Sequence, residues 1–544
     1  MNFSKKRIAI FLIMMGLVSL GPKLYFADFI IPDFVDNFDF TLRGLAYSHG
    51  DYAESPKQTS GWPLFISPFL LLIRSNNIAD YANIVQILSL GISLISILPM
   101  YLLARKFFDK KYSLVATTLF AFEPHLNRIS GSGLTEPIFI LLIITSFCFI
   151  LTRNSRHVYF SFILAALLWW MRLNGIIMLF ALSIIYFVNF RKSNNLIGRY
   201  LLCVAIFLIV VSPFLVQRYY QYGDPLYFYY GNSLFVEDYS SLGLNEKATA
   251  MNYVKEHGII SFIQKFIISG IYNILQALGK VSFPYLIIIL PFGLLFSLRV
   301  FDQDKRYIHA NWILLLTILT VLVVPFSIIS DKRFLYPLLP FLILFSTITI
   351  NRVTEYGLST FAFSSKNKNI FLVIVIIIVF VLSTFFLLRY EKSDELEKQE
   401  AMNFTKFLVH NLHGKLMDAG YTIDYYPVVQ IQESPGIMTT YKMDRSKRPY
   451  AGFPYEGGNP TIVRLQEKSV NDLLRDGEGL GLKYISINEQ GAVFDKYLND
   501  VYYNEEKYSF LTKIFDPADH GYSKFKVKVF EINYTKFHEN KLLK

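Results

Sequence analysis

The chain has 544 residues, of which 53% are apolar, 17% aromatic and 17% charged, with a formal net charge of +11. About a quarter of a soluble globular protein is charged, so this composition excludes a purely water-soluble chain. The positive charge forms no basic stripe with interleaved aromatics, which excludes a nucleic-acid partner.

Apolar residues fill positions 8–388 in runs and thin out from Arg389 onward. A membrane-crossing helix needs about 20 apolar residues. Two stretches meet this without any charge, 82–104 and 370–388. Shorter or interrupted runs at 8–24, 112–122, 134–151, 158–172, 175–190, 200–216, 281–298, 309–329 and 334–350 read as further spans. The set predicts about eleven transmembrane helices. The run 112–122 is short, and either continues into the polar stretch after it or is buried in protein. The first run follows Lys5, Lys6 and Arg7 but precedes no small-residue cleavage pattern, so it reads as a retained span rather than a signal peptide.

Lys and Arg favour cytoplasmic loops. Lys5–Arg7, Arg105, Lys106, Lys110, Lys111, Arg153, Arg156, Arg191, Lys192, Arg199, Arg299, Lys305, Arg306, Arg352, Lys366 and Lys368 fall on one side if the spans alternate. The expected topology has a cytoplasmic N-terminus and an extracytoplasmic C-terminal domain, in the cell membrane. The expected domains are a membrane domain, 1–390, with external loops 25–81 and 217–280, and a soluble domain, 391–544. Both cysteines, Cys148 and Cys203, lie in spans, so no disulfide framework is expected outside. Residues 259–278 read as an amphipathic helix along the membrane surface.

The tail alternates helix and strand patterns. An amphipathic helix is expected over 395–412 and strands over 484–487 and 525–532, with Gly477, Gly479 and Gly481 marking turns before the first strand. This predicts a small α/β or α+β domain. Asn403-Phe404-Thr405 and Asn533-Tyr534-Thr535 fit a glycosylation sequon, a pattern short enough to arise by chance.

Ionisable groups near a membrane are costly unless they face a cavity or do work. Here they gather at the outer ends of helices. The first external loop holds Asp36, Asp39, Arg43, then Tyr47-Ser48-His49-Gly50-Asp51-Tyr52, then Gly61-Trp62-Pro63. Glu123, His125, Arg128 and Glu136 follow, then Arg172 and Asn174, Arg218, and Asp331-Lys332-Arg333. Such a rim suits sugar transfer from a lipid-linked phosphate. Fixed cations hold the phosphate, and Arg does so bidentately. A phosphate leaving group needs charge stabilisation more than a general acid. The acceptor hydroxyl needs a base, and a loop carboxylate suffices.

The order of these motifs resembles the GT-C class of membrane glycosyltransferases, above all the branch with the protein O-mannosyltransferases and the lipid A aminoarabinose transferase. Asp36-Asn37, Arg43-Gly44-Leu45-Ala46 and His49-Gly50-Asp51-Tyr52 are similar to the family's first-loop pattern, although its second acid is here Asn37, with Asp39 one turn on. Trp62-Pro63-Leu64 with Pro68 resembles the proline-rich entry to the second span. Glu123-Pro124-His125 through Gly133-Leu134-Thr135-Glu136-Pro137, Arg172 with Gly175, Arg218 with Tyr222-Gly223-Asp224-Pro225, and Arg333 with Tyr336-Pro337 resemble further motifs.

The resemblance implies an inverting hexosyltransferase, a polyprenyl- or dolichyl-phosphate sugar donor, and a protein, lipid or glycan acceptor outside the cytoplasm. Asp36 is then the first choice for the catalytic base, with Asp39 beside it; the plainer reading of Asp36 is an acid favoured by a helix N-terminus. Arg172, Arg218, Lys332 and Arg333 are the phosphate candidates, although Arg at helix ends also snorkels to headgroups. Glu123, His125 and Glu136 complete the substrate set, and Thr135-Glu136-Pro137 equally fits a capped helix start. Trp62 and the aromatic run 227–230 suit stacking on sugars or an interfacial belt. No cofactor is required. A divalent cation at Asp36 is conceivable, but the lost acid at Asn37 argues against it, and no Cys/His cluster suggests a structural metal.

Two other classes fit less well. Oligosaccharyltransferases carry a Trp-Trp-Asp signature in an external domain, whereas Trp62, Trp169, Trp170 and Trp312 all precede the tail and Trp169-Trp170 is followed by Met171. A transporter or lipid flippase would show repeats and midplane polar groups. Here no repeat is visible and the polar groups lie at one face.

Overall fold

The computed structural model describes residues 4–29, 35–50, 52, 59–75, 77–152, 154–192, 195–227, 234–236, 248–299, 305–389, 395–419, 429, 460–463, 465, 469–489 and 496–542. Asp51 and most of the run 227–230 lie outside them. The chain forms two units. The first holds Met1–Asp28, Glu54–Pro68 and Val85–Tyr390; the second holds Phe29–Ala53, Phe69–Ile84 and Glu391–Lys544.

The first unit is helical. Its elements are α1 (Lys5–Phe26), the first part of α3 (Gly61–Leu70), the latter part of α4 (Ile78–Ile95), then α5 (Ile97–Phe107), α6 (Lys110–Ala121), α7 (Pro124–Ser130), α8 (Glu136–Ile150), α9 (Ser155–Met171), α10 (Ile177–Phe190) and α11 (Leu196–Tyr222). After them come α12 (Ala250–Phe262), α13 (Ser269–Ser282), α14 (Leu286–Leu298), α15 (Lys305–Ile328), a 3₁₀ turn (Lys332–Leu338), α16 (Leu339–Arg352) and α17 (Ser365–Arg389). α2 (Val35–Ser48) belongs to the second unit.

Among the described residues, eight helical segments are long and apolar enough to cross a membrane, and Gly61–Leu70, Glu136–Ile150, Arg156–Met171 and Leu286–Leu298 are shorter apolar helices. The chain is thus an integral membrane protein. The expected count of about eleven spans is not reproduced as such. The surface helix expected over 259–278 is instead part of Ala250–Ser282, itself long enough to span. Its α13 runs along α15, with Gly270 so close that a Cβ there would sit 2.1 Å from the Val323 carbonyl oxygen. Small residues at such crossings are what helix packing in lipid requires. The short run 112–122 is buried in protein, as one of the two readings had it: Tyr112 through Ala121 are all covered. α16 lies at the centre, with Leu339 through Ile350 all buried. α17 turns Val373, Ile377, Val381 and Phe385 outward, as a lipid-facing helix does.

The second unit contains a five-stranded sheet in the order β2-β1-β3-β5-β4, from β1 (Lys415–Ala419), β2 (Thr461–Val463), β3 (Leu482–Asn488), β4 (Leu511–Phe515) and β5 (Val527–Ile532). β1 is parallel to β2 and β3, while β5 is antiparallel to β3 and β4. Leu473 and Leu474 of helix Val470–Leu480, Leu498 and Val501 of helix Lys496–Tyr503, and Phe537 pack with Ile485, Ile487 and Phe530. Helix Glu395–Asn411 sets Phe404 against Phe515 and Phe525 at ring distances of 5.0 and 5.5 Å. The expected α/β or α+β domain is present.

One local expectation fails. Gly477 and Gly479 are inside the helix Val470–Leu480, and only Gly481, at φ 72°, makes the turn. Gly477 is small for packing: a Cβ there would lie 2.8 Å from Leu482 Cδ2. The sequon at Asn403 lies within a helix, with Phe404 and Thr405 buried.

Candidate functional site

The acidic first loop becomes α2. Asp36 stands in its first turn, half-exposed, where the helix dipole favours a carboxylate. Asp39 and Arg43 are buried at 5% and 1% exposure. Asn37, in place of the family's second acid, is fully buried; its Oδ1 accepts from Thr41 Oγ1 at 3.2 Å. The substitution therefore puts a neutral amide where a second charge would need a counter-ion. His49 closes the helix, its Nδ1 2.9 Å from the Leu45 carbonyl oxygen.

In the membrane unit, α7 is a seven-residue helix that carries three rim residues. Pro124 sits at its start, and Glu123 is its N-cap: Glu123 Oε2 accepts from Leu126 N at 2.6 Å. The other oxygen of Glu123 lies 3.0 Å from His125 Nδ1. His125 packs between the rings of Tyr336 and Phe386, at 5.8 and 5.3 Å. Glu123 and His125 are both almost fully covered.

Glu136 opens α8, with Pro137 in the first turn. Thr135 makes no side-chain cap, because it already has helical φ and ψ of −75° and −16°. Glu136 instead binds Arg172 Nη1 at 2.6 Å, and the Arg172 guanidinium lies 5.7 Å from the Phe334 ring centroid. Asp331 caps the following 3₁₀ turn and holds Arg333 twice, at 2.8 Å to its backbone nitrogen and 2.7 Å to Nε. Lys332 feels the positive charges of Arg128 and Lys280 and the negative charge of Asp331. Tyr336 lies within the fields of Arg128, Glu123, Asp331 and Glu136.

The structure thus gathers Glu123, His125, Glu136, Arg172, Lys332 and Arg333 around one end of the 3₁₀ turn. It adds Arg128 and Lys280 as cations, which sequence reasoning left out of the site. Arg128 stood in the rim without being assigned to the phosphate, and Lys280 lies two residues beyond the segment 259–278 expected as a surface helix. Arg218 is engaged elsewhere. It is 1% exposed, donates Nε and Nη2 to the Tyr227 carbonyl at 3.0 and 2.7 Å, and stacks near Phe214 and Tyr222. Trp62 is no sugar platform. It is fully buried, donates to the Gly133 carbonyl at 2.9 Å and stacks on Phe65.

A group of converging cations with bidentate arginines can hold a phosphate and stabilise its charge as a bond to it breaks. Among the described residues, no three His, Cys, Asp or Glu side chains group as metal ligands.

Two family models match parts of the chain. The dolichyl-phosphate-mannose-protein mannosyltransferase model matches residues 62–216, and the Alg9-like mannosyltransferase model matches residues 271–415. No curated protein matches the chain. Among solved structures, the oligosaccharyltransferase of Archaeoglobus fulgidus is similar over 96% of this chain and 73% of its own, with a TM-score of 0.59 at 13% identity. The same enzyme, AglB, with an inhibitory peptide and a dolichol-phosphate matches over 98% and 75%, with a TM-score of 0.55 at 12% identity. ArnT of Cupriavidus metallidurans bound to undecaprenyl phosphate matches over 95% and 97%, with a TM-score of 0.54 at 10% identity. At these identities the structures report the fold. With the two family matches, they make the chain a membrane glycosyltransferase of the GT-C type.

Proposed function

We propose that this glycosyltransferase moves one sugar from a polyprenyl- or dolichyl-phosphate carrier to a hydroxyl acceptor on the extracytoplasmic face. The observation that carries the reading is the Arg172–Glu136 pair at 2.6 Å, its guanidinium over Phe334 of the 3₁₀ turn that also carries Lys332 and Arg333, with Arg128 and Lys280 close enough to act on Lys332. Like charges are brought together at a cost, and a bound dianion offsets it. The carriers bound by AglB and ArnT in their solved structures are phosphates of this kind. Neither family match favours the transporter or flippase alternative.

In this reading Lys332, Arg128 and Lys280 take the phosphate, and Arg172, oriented by Glu136, adds two parallel donors. Arg333 is tethered by Asp331 and contributes from the edge. Asp36 removes the proton from the acceptor hydroxyl as its oxygen attacks the anomeric carbon, and Asp39 supports it. The bond from that carbon to the phosphate oxygen breaks, the electron pair leaves with the phosphate, and the configuration inverts. The sugar passes through an oxocarbenium-like state. No step requires a metal. The N-terminus is then cytoplasmic, the second unit's sheet domain external, and the membrane the cell membrane.

The test is transfer from radiolabelled polyprenyl-phosphate mannose or glucose by membranes holding wild type or Asp36→Asn. Loss of a general base removes about 10²–10⁴-fold. Wild-type transfer that the variant lacks, at equal expression, supports the reading. Equal transfer removes Asp36 from the mechanism. No transfer by either, across donors and native acceptor extracts, overturns the donor class.

A further inference from the structure

The Arg172–Glu136 pair joins the end of α9 to the start of α8, two helices that follow one another in the chain and pack side by side. Farther along, a reciprocal pair of serines pins them together. Ser146 Oγ donates to the Ser161 carbonyl at 3.0 Å, and Ser161 Oγ to the Ser146 carbonyl at 2.8 Å. Glu136 is ten residues from Ser146 and Arg172 eleven from Ser161. The charged pair therefore stands about 15 Å beyond this pin, where the serines no longer hold the helix ends.

Two adjacent residues at the start of α3 reach both of those ends. Gly61 lies against the last turn of α9: a Cβ there would overlap the Trp170 carbonyl oxygen and lie 2.9 Å from Met171 N, so no side chain fits. Trp62, fully buried, donates its indole Nε1 to the Gly133 carbonyl at 2.9 Å. Gly133 has φ 75° and belongs to no helix or strand, so the indole supplies the donor that its buried carbonyl needs. Trp170 is two residues before Arg172, and Gly133 three before Glu136. A second glycine closes the other side of the same turn of α9, since a Cβ on Gly175 would overlap the Leu168 carbonyl.

We propose that Trp62 is a positioning residue for the Arg172–Glu136 pair: with Gly61 it clamps the start of α8 to the end of α9 and so sets where the Arg172 guanidinium stands. Neither the hydrogen bond of Trp62 nor its stacking on Phe65 involves Arg172 or Glu136, so the effect passes through the backbone. The stability arm of the test stands on this geometry alone. The kinetic arm rests on the reading that Arg172 takes the donor phosphate.

The experiment uses the purified full chain in detergent: wild type, Trp62→Phe, and a chain with benzothienylalanine at position 62, each with and without Arg172→Leu. Benzothienylalanine keeps the outline of the indole and puts sulfur in place of the N–H. It therefore removes the bond while keeping the packing, and it decides the matter if Trp62→Phe does not fold. Substitutions at independent sites add, and coupled ones do not. Both changes at Trp62 are expected to lower Tm. Arg172→Leu should then lower it further by less than half of its effect in the wild-type chain, because the pair has already loosened. In transfer from polyprenyl-phosphate mannose or glucose, the benzothienyl chain should lose about tenfold or more in kcat, since a 1 Å misplacement costs up to about 10²-fold. Donor KM should change less, because the guanidinium counts most as charge develops on the departing phosphate. An Arg172→Leu loss in Tm that is the same in all three backgrounds overturns the proposal and leaves Trp62 as plain packing. Wild-type kcat in a chain without the indole N–H overturns the positioning role. The Tm cycle needs no turnover, so absence of transfer by wild type would count against the donor reading while the clamp is still decided.

Discussion

In the C-terminal domain Lys513 sits between Glu505 and Asp516 at 2.7 Å each, Lys528 reaches Glu505 at 3.3 Å, and Lys526 reaches Glu489 at 3.1 Å. These pairs lie at or near the surface. In the membrane unit the charges are fewer and deeper. Lys23, Glu123, His125, Glu136 and Arg218 are each no more than 2% exposed. The first arrangement is inexpensive, since water solvates each partner if the pair opens. The second is costly, since neither lipid nor protein replaces water for an orphaned charge. What the contrast teaches is where to look for work: charge that survives burial in the membrane unit marks the site, while paired charge on the soluble domain marks solubility.

The sharpest way to break this contrast is the Arg172–Glu136 pair. Arg172→Leu leaves a buried carboxylate, and breaking such a pair costs about 3–5 kcal/mol. Adding Glu136→Gln should recover much of it. Thermal unfolding in detergent measures both. Equal stability of Arg172→Leu and wild type would show that charge in the membrane unit is as dispensable as on the surface.

Among the described residues, the soluble domain has one buried carboxylate that tests the contrast from the other side. Glu400 is 5% exposed, and it accepts from the backbone nitrogens of Ser523, Lys524 and Phe525 at 2.9, 2.9 and 2.7 Å. Burial pushes its carboxyl up, but these N–H groups and the Ser523 hydroxyl outweigh burial and hold it below the usual carboxylate range. Glu400→Ala should cost about 3 kcal/mol by stranding these donors, with transfer by the folded fraction unchanged. Because the folded value is depressed, the ionised form's contribution is complete above the unfolded carboxylate range and is lost as pH falls through the folded value. The Tm gap between wild type and Glu400→Gln should therefore narrow on acidification below about pH 4. A gap independent of pH would mean that packing, not charge, accounts for it.

Much of this was legible in the sequence. Apolar runs located the helices, because lipid requires length and hydrophobicity that few other elements have. Period-2 alternation found the strand 527–532, and the motif order gave the enzyme class. What escaped was set by contacts between distant residues. Lys23 drew no reading from the sequence, because its partner Asn127 is 104 positions away. Trp62 reads as a stacking platform until Gly133, 71 positions on, takes its indole hydrogen. Residues 259–278 read as amphipathic because α15 covers one face and the other is apolar in its own right, with Ile263, Ile267, Ile271 and Leu275 outward. The glycines at 477 and 479 read as turn formers although both lie inside a helix, because periodicity does not reveal that Leu482 needs the space at Gly477.

The smallest expected effect closes the comparison at the surface. Lys526 is 53% exposed and its partner Glu489 32% exposed. Holding two side chains in one geometry costs entropy that a solvated pair barely repays, so Lys526→Ala should change stability by less than about 1 kcal/mol and weaken further in high salt. Glu489 also accepts from Tyr503 Oη at 2.7 Å, so the carboxylate is not stranded when the lysine goes. Tm measured at low and high ionic strength checks this. A loss as large as that of Arg172→Leu would mean that the domain's surface network is built as tightly as the membrane unit's interior, and charge depth would then cease to separate site from surface.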